Sequence, residues 1–204
     1  MNTFYLIRHG LNDMVGKAIA GWVPGVHLNK EGREQAERLA SYLAKNCIQH
    51  IYSSPLERAR ETAQPLAAKL GLQLQAADEL GEVHYGDWNG QLNETLNGQP
   101  GWKQWNAFRT GTRIPSGEMI VEVQARMAGF IHKLRGQFPN QTIALFSHGD
   151  PIRATLAYWL GIPLDFMLRF EVDPASISIL TLDDHGPRVL CINDRTASRW
   201  CPLV

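Results

Sequence analysis

The chain has 204 residues, with 20 Lys and Arg against 20 Asp and Glu, and 44% of its residues are hydrophobic. This length suits one domain with a full hydrophobic core, and we expect a single domain over residues 1–204. Zero net charge argues against a general nucleic-acid or membrane-surface binder, which would carry a basic excess. No apolar run approaches the roughly 20 residues that a membrane-spanning helix needs, and no signal peptide is expected. The three cysteines, Cys47, Cys191 and Cys201, are too widely spaced to indicate a disulfide framework. We expect a cytoplasmic protein.

Short apolar runs alternate along the chain with segments of helical periodicity. A strand is predicted at 3–7, and a helix capped by Asn29 follows it, because apolar side chains recur there at the helical interval. A second strand is predicted at 48–53. Ser54 then has the position of an N-cap for a helix that ends at Gly71.

The second half of the chain contains a long irregular segment between further elements of the same two kinds. Segment 78–117 is rich in Gly, Asn and Trp, and only one short helix is predicted in it, near 102–108. Such a stretch inside a domain is more often a functional loop than filler. The other predicted elements are a strand at 72–75, a helix at 118–137, a strand at 142–147, a helix entered at Asp150 that ends near Gly161, and strands at 177–182 and 188–192.

Strands that alternate with helical crossovers predict an α/β sheet that is mostly parallel and covered on both faces. Ligands of such sheets bind beyond the carboxyl ends of the strands. The first strand ends at Arg8 and His9, the second precedes a helix whose first turn holds Arg58, and the strand at 142–147 ends at His148. Two helix N-termini in the same place favour an anion. The ligand that these groups predict is a phosphate.

Phosphoryl transfer would use each of these side chains. Neutral imidazole is a competent nucleophile, and the cations Arg8 and Arg58 should lower the pKa of His9. Both arginines, with His148, would stabilise the transferring phosphoryl group. Glu82 is the candidate proton donor for the leaving oxygen, although nearby arginines favour its ionised form and only a bound phosphate would raise its pKa again.

Other interpretations of these residues stay open. His9, His148 and Glu82 would also compose a two-His-one-carboxylate metal site, but adjacent arginines repel a divalent cation. The surrounding sequence offers further substrate contacts at Asn12 and Trp22, in a loop near His9. The spacing of Trp102, Trp105 and Phe108 favours the buried face of a short helix over a wall of the substrate site. Surface or structural roles are expected for Arg60, His50, His132 and His185.

Six ordered motifs make the sequence similar to the histidine phosphatase, or phosphoglycerate mutase-like, superfamily over nearly its whole length. They begin with Leu-Ile-Arg-His-Gly at 6–10 and include Ser-Ser-Pro-Leu-Glu-Arg-Ala-Arg at 53–60 and Ser-His-Gly-Asp-Pro-Ile-Arg at 147–153. The other three lie at 27–36, at 79–82 followed by 86–90, and at 115–118. A single tripeptide would mean little, but six in order form a specific pattern.

The resemblance implies a catalytic set and a fold. His9 would be the phosphorylated nucleophile, Arg8, Arg58 and His148 would bind the phosphoryl group, and Glu82 would donate the proton. The implied fold is a three-layer α/β/α sandwich, mostly parallel, with one antiparallel edge strand, and no metal or organic cofactor is implied. Substrate contacts are assigned to Asn12, Trp22, His84 and Gly149.

The sequence departs from the family pattern in two places. After Arg-His-Gly the family often has Glu or Gln, then Thr or Ser, and then Asn three residues later. This chain has Leu11, Asn12 and Val15 at those positions. The usual asparagine contact to phosphate is therefore absent or is supplied by another residue, such as Asn12. The region after Glu82 is also shorter and less basic than in cofactor-dependent mutases. It carries only Lys103, Arg109 and Arg113.

These departures favour a phosphatase acting on a small phosphorylated metabolite with some apolar or aromatic character, with segment 78–117 as a cap over the active site. Two alternatives remain: a phosphoglycerate mutase-type phosphoryl transfer, and a non-catalytic protein that binds a phosphorylated ligand. The sequence does not fix the oligomeric state; a dimer is one possibility.

Overall fold

A computed structural model describes residues 1–196, so that Cys201 lies outside the described residues. This part of the chain contains six strands and six α-helices. The strands are β1 (Asn2–Arg8), β2 (His50–Ser53), β3 (Leu74–Ala76), β4 (Thr142–Ser147), β5 (Ile177–Asp183) and β6 (Gly186–Asp194). The helices are α1 (Lys30–Leu43), α2 (Glu57–Leu70), α3 (Asn93–Asn97), α4 (Pro100–Ala107), α5 (Ile120–Gln137) and α6 (Gly149–Leu160).

The strands form one mixed sheet in the order β3-β2-β4-β1-β5-β6. The first four strands of this order are parallel to one another, and β1 lies between β4 on one side and β5 on the other. β5 is antiparallel to both of its neighbours, as one strand was expected to be. The expectation that this strand lies at the edge is wrong, because the β5–β6 hairpin adds β6 outside it.

Helices cover both faces of the sheet and make three layers. Along β1 the alternation of side chains sends Phe4 and Leu6 into a core with α5 and α6, while Ile7 packs in a second core with α1 and α2. A third apolar cluster joins α4 to α5 and α6 around the fully buried Trp105. The predicted sandwich is confirmed. No helix among residues 1–196 is long and apolar enough to cross a membrane.

Several helix ends differ from the predicted ones. The side chain of Asn29 does cap α1, accepting a hydrogen bond from the Gly32 N–H. Ser54, in contrast, is not the N-cap of α2, which begins at Glu57 without a side-chain cap. α6 begins two residues earlier than predicted, with His148 rather than Asp150 at its N-cap.

Segment 78–117 holds more regular structure than was predicted. In place of one short helix it contains α3, α4 and two short 3-10 helices, Asp78–Leu80 and Gly86–Trp88. α4 ends at Ala107, so Phe108 is 54% exposed and is not part of its buried face.

Candidate active site

The carboxyl ends of β1, β2 and β4 meet at one edge of the sheet, as predicted. Arg8 and Ser147 are register partners at the ends of β1 and β4, and the backbone N–H of His9 bonds the Ser147 carbonyl at 3.0 Å. A cavity of about 180 Å³ opens above these strand ends. Its lining includes four of the five predicted catalytic residues, namely Arg8, His9, Arg58 and Glu82.

His9 is held in one tautomer by its own loop. It is 4% exposed, and its Nδ1 lies 2.7 Å from the Gly10 carbonyl oxygen. Because a carbonyl oxygen only accepts, Nδ1 carries the proton and Nε2 of the neutral ring keeps its lone pair. Burial and the charges of Arg58 and Arg8 lower the pKa of His9 well below its usual range, so the ring is neutral and nucleophilic.

The loop behind His9 is fixed by close backbone contact. The N–H of Gly10 donates to the Thr62 hydroxyl on α2 at 2.9 Å. A Cβ at position 10 would meet the Gly32 carbonyl oxygen at 2.8 Å, closer than real Cβ atoms approach such an atom. Glycine is therefore required here for α1 to pack against the loop that carries His9.

The two arginines are buried but only partly hydrogen-bonded. Arg58 is 0% exposed, and Nη2 donates to the Gly21 carbonyl at 2.8 Å, while Nε and Nη1 have no partner among residues 1–196. Arg8 donates from Nη1 to the Val172 carbonyl at 2.7 Å, and its buried Nε likewise has no partner within the described chain. Unused guanidinium N–H groups beside a cavity are suited to bind phosphate oxygens.

His148 lies against His9, with ring centroids 5.1 Å apart and planes inclined at 61°. Its Nε2 is 2.8 Å from the Ser54 hydroxyl oxygen, and its Nδ1 is 3.9 Å from Glu82 Oε2. Burial, Arg58 and then His9 lower the pKa of His148 well below its usual value, so this ring is also neutral. The Ser54 contact was missed in the sequence, where the hydroxyl was assigned to a helix cap.

Glu82 has a high pKa before any ligand binds. Burial and then the charge of Asp150 raise the pKa of Glu82 to about 7, although Arg58 and Arg8 oppose the shift. The expectation that the arginines keep this carboxyl ionised is therefore wrong, because burial dominates. Oε1 accepts a hydrogen bond from the Val83 N–H at 2.9 Å. The carboxyl can hold a proton near neutral pH and release it there.

Trp22 and His84 support Glu82 rather than line the cavity. The Trp22 indole N–H donates to the Glu82 carbonyl oxygen at 2.7 Å, and Arg126 donates to the same oxygen at 3.0 Å. The exposed ring of His84 stacks on Trp22, with centroids 4.3 Å apart and planes inclined at 8°. Neither ring belongs to the lining of the cavity. Both stand beside the backbone that carries the carboxyl.

Asn12, Val15 and Gly149 do line the cavity. Asn12 is 3% exposed; its Oδ1 accepts from the Met14 N–H at 3.0 Å, and its buried Nδ2 has no partner within residues 1–196. The amide therefore keeps its two donors for another acceptor. A Cβ at Gly149 would lie 3.4 Å from the Arg8 guanidinium, at ordinary van der Waals distance, so Gly149 borders that group directly.

A second, more open cavity of about 870 Å³ adjoins the first. Ile19, Tyr85, Asn93 and Asp150 line both. Among the three basic residues of segment 78–117, Lys103 and Arg109 line the second cavity, together with Trp102 and Trp105, whereas Arg113 is in an exposed ion pair with Glu122. Trp102 and Trp105 thus line this cavity and Phe108 does not, and their contact with a substrate stays a prediction.

Four further residues of the site were not predicted from the sequence: Tyr85, Arg109, Asp150 and Arg153. They form one hydrogen-bonded group in which Asp150 accepts from the other three side chains. The motif around His148 contains Asp150 and Arg153 and was a signal that could have indicated them. Arg109 and Tyr85 carry no comparable local signal.

The remaining charged candidates lie elsewhere. His50 contacts Gln141 and stacks on Phe138, and His132 packs on Trp159. His185 belongs to the β5–β6 turn, and Arg60 is exposed. Among residues 1–196, no group of three or more His, Cys, Asp or Glu side chains has an arrangement that could hold a metal ion.

Comparisons with known proteins agree with this geometry. A family model described as "Histidine phosphatase superfamily (branch 1)" matches residues 4–195. Phosphoserine phosphatase 1 of Hydrogenobacter thermophilus is 31% identical over 168 residues, covering 81% of this chain and 80% of that protein. Phosphoglycerate mutase-like protein 4 of Arabidopsis thaliana is 35% identical over 155 residues, covering 73% and 67%.

Solved structures resemble the whole fold. The phosphoserine phosphatase of Entamoeba histolytica in complex with 3-phosphoglyceric acid has a TM-score of 0.87 and 28% identity, covering 98% of this chain and all of that one (100%). A mycobacterial glucosyl-3-phosphoglycerate phosphatase has a TM-score of 0.83 and 27% identity, covering 94% and 98%. Relatives with these names support phosphatase activity.

Proposed function

The chain belongs to the histidine phosphatase superfamily, and from that membership and the geometry of the cavity we propose that it is a phosphomonoesterase that works through a phosphohistidine at His9. The observation that carries the proposal is the pairing of a buried, neutral His9 with buried guanidinium groups whose N–H donors are unused. A dianionic phosphate would use those donors, and the neutral imidazole would then face its phosphorus.

In the first step, Nε2 of His9 attacks phosphorus and a new P–N bond forms as the ester P–O bond breaks. The proton of Glu82 goes to the departing oxygen, so that an alcohol leaves and Glu82 becomes a carboxylate. Arg8 and Arg58 stabilise the charge on the equatorial oxygens. With the Ser54 hydroxyl donating to Nε2 of His148, the Nδ1 proton of that ring is available to a phosphoryl oxygen.

In the second step, water replaces the alcohol. The Glu82 carboxylate takes a proton from the water as its oxygen attacks phosphorus, the P–N bond breaks, and the electron pair returns to Nε2 of His9. Inorganic phosphate leaves, and Glu82 is again protonated. A pKa of about 7 for Glu82 suits a group that must act as acid and then as base at neutral pH.

The substrate in this proposal is a small phosphorylated metabolite. Asn12 supplies amide donors to the phosphate, in place of the family asparagine that is replaced here by Val15, and Gly149 contacts the substrate beside Arg8. Trp22 and His84 position Glu82 rather than bind substrate. Segment 78–117 acts as the cap, with the second cavity receiving the leaving group. The guanidinium groups supply the positive charge, so the proposed reaction needs no metal.

The test is His9→Ala with an aryl phosphate, with His185→Ala as the matched control in an exposed turn away from the cavity. We expect His9→Ala to lower kcat/KM at least about 10³-fold with an unchanged circular dichroism spectrum, and His185→Ala to retain activity. Rapid acid-free quenching with ³²P-labelled substrate should trap a base-stable, acid-labile phosphoenzyme in the wild type only.

Other outcomes would overturn the proposal. Full activity of His9→Ala would exclude His9 as the nucleophile. Isomerisation of 3-phosphoglycerate without release of phosphate would indicate a mutase. Tight phosphate binding without turnover or a phosphoenzyme would indicate a binding protein.

A further inference from the structure

Asp150 lines both cavities, and its carboxylate accepts three side-chain hydrogen bonds. Oδ2 accepts from Arg109 Nη1 at 2.7 Å and from the Tyr85 hydroxyl at 3.0 Å. Oδ1 accepts from Arg153 Nη1 at 3.3 Å. Burial raises the pKa of Asp150, but the charges of Arg109 and Arg153 and the hydrogen bonds from Arg109 and Tyr85 outweigh burial and lower the pKa, so the carboxylate is ionised. A buried carboxylate with this many partners is fixed in position.

Its partners come from both ends of the segment that follows Glu82. Tyr85 is three residues beyond Glu82, while Arg109 lies beyond the end of α4. Arg109 is 4% exposed; it donates from Nη2 to Asn106 at 2.9 Å, and its guanidinium carbon is 3.7 Å from the Trp105 ring centroid. Asp150 on α6 therefore holds the start and the end of this segment against the nucleophile side of the cavity.

Asp150 also acts on Glu82 through charge. Like charges in a buried site favour the protonated form of one partner, and Asp150 is the strongest charge raising the pKa of Glu82. Arg58 from α2 and Arg8 from β1 act in the opposite direction. The other titratable or charged groups around Glu82 are His148 at the N-cap of α6, Tyr85 on the same loop, and Arg126 of α5, which bonds the Glu82 carbonyl.

We propose that Asp150 is a positioning residue for the reaction, which fixes both ends of the segment that follows Glu82 and through its negative charge keeps the Glu82 carboxyl ready to donate a proton. The proposal rests on the proposed function of Glu82 as the acid. A structural link alone would explain the hydrogen bonds. It would not explain an effect of the Asp150 charge on the protonation of Glu82, and that effect is what the experiment measures.

The experiment compares the pH profiles of kcat/KM for an alkyl phosphate in wild type, Asp150→Asn, Asp150→Glu and Asp165→Asn. In Asp150→Asn the negative charge that repels the Glu82 carboxylate is lost, and Arg109 and Arg153 lose their partner. The basic limb of the pH profile, where kcat/KM falls as Glu82 loses its proton, should therefore move to lower pH by roughly one unit. At pH 8 kcat/KM should fall about tenfold. Asp150→Glu keeps the charge and should keep the limb in place, even where kcat falls.

Asp165 supplies a matched control. Its carboxylate also holds the segment, accepting from the Thr110 N–H at 2.9 Å and the Thr110 hydroxyl at 2.7 Å, but it lines neither cavity. Asp165→Asn should leave the limb unmoved. If Asp150→Asn does not fold, Arg109→Gln tests the same charge in the other direction, because an unneutralised Asp150 should move the limb upwards.

A readout independent of turnover separates this proposal from the proposed function. With ¹³C-labelled glutamate, the Glu82 carboxyl resonance is identified by its loss in Glu82→Gln, and its titration midpoint should be lower in Asp150→Asn than in wild type. Equal midpoints, or an equal shift in Asp165→Asn, would overturn the role of Asp150. A wild type without a phosphoenzyme, in which Glu82→Gln changes no rate, would instead refute the proposed function while the midpoints stay measurable.

Discussion

Replacing Arg58 with methionine should separate stability from phosphate binding. Two of the buried guanidinium nitrogens have no partner within residues 1–196, and the third is bonded to the Gly21 carbonyl at 2.8 Å. Each unsatisfied buried donor costs on the order of 1 kcal/mol or more, and the lost hydrogen bond is worth about 1 kcal/mol. Methionine fills similar space without donors. The ligand-free variant should therefore be more stable by about 1 kcal/mol, equivalent to a rise in Tm of roughly 2–4 °C.

The same substitution should remove the response to phosphate. Differential scanning fluorimetry with increasing orthovanadate should raise the Tm of the wild type, since a ligand that binds only the folded state stabilises it. The Arg58→Met variant should show little rise, and its kcat/KM should fall by at least about 10³-fold. Arg58→Lys is the control, because it keeps the charge but loses the forked donors. It should lose activity without the gain in Tm. A Tm of Arg58→Met well below that of wild type, or an intact vanadate response, would refute the reasoning.

Three further predictions concern the groups around the nucleophile. The pKa of Glu82 is about 7 in the folded state and 4.5 for the free side chain, so the protonated carboxyl stabilises the fold fully below pH 4.5 and this contribution is lost as the pH rises through 7. Relative to wild type, the free energy of unfolding of Glu82→Gln should therefore rise by up to about 3 kcal/mol across this window. Denaturant melts in which the difference between the two proteins does not change with pH would contradict this prediction. Trp22→Phe keeps the ring that stacks on His84 but removes the N–H that donates to the Glu82 carbonyl. Steady-state kinetics should show a kcat lowered about tenfold, and the free energy of unfolding should fall by about 1 kcal/mol. An unchanged kcat would exclude a role of Trp22 in positioning Glu82. Asn12→Asp puts a carboxylate where phosphate is proposed to bind, so the inhibition constant for inorganic phosphate should rise at least about tenfold. Asn12→Ala is the control and should raise this constant less. Equal inhibition constants for the two variants would show that Asn12 does not face the anion.

The sequence predicted the parts of the site that lie directly at strand ends. Arg8, His9 and His148 follow apolar runs of clear β character, and parallel strands bring their ends together. Arg58 was predicted because it belongs to the first turn of a helix that leaves a third strand end. In these cases a local pattern and one topological rule were sufficient.

Contacts between distant residues could not be predicted in this way. Ser54 has the sequence of a helix cap, yet its hydroxyl contacts His148, 94 residues away. Asp150 and Arg109 are 41 residues apart, and nothing local to either indicates that they pair. The high pKa of Glu82 follows mainly from burial of the carboxyl in the fold, which no residue pattern encodes. The inner position of β5, in contrast, could have been predicted, because the expected hairpin partner β6 lies outside it.

The central position of β1 has a consequence for how the molecule reaches its active form. This strand is synthesised first, but both of its neighbours, β4 and β5, come from residues beyond 141. The Arg8 guanidinium is likewise bonded to the Val172 carbonyl, 164 residues along the chain. Contacts of such sequence separation form late and make folding slow. The proposed anion pocket therefore depends on contacts with residues beyond 141, and recovery of phosphate binding during refolding should report completion of the sheet.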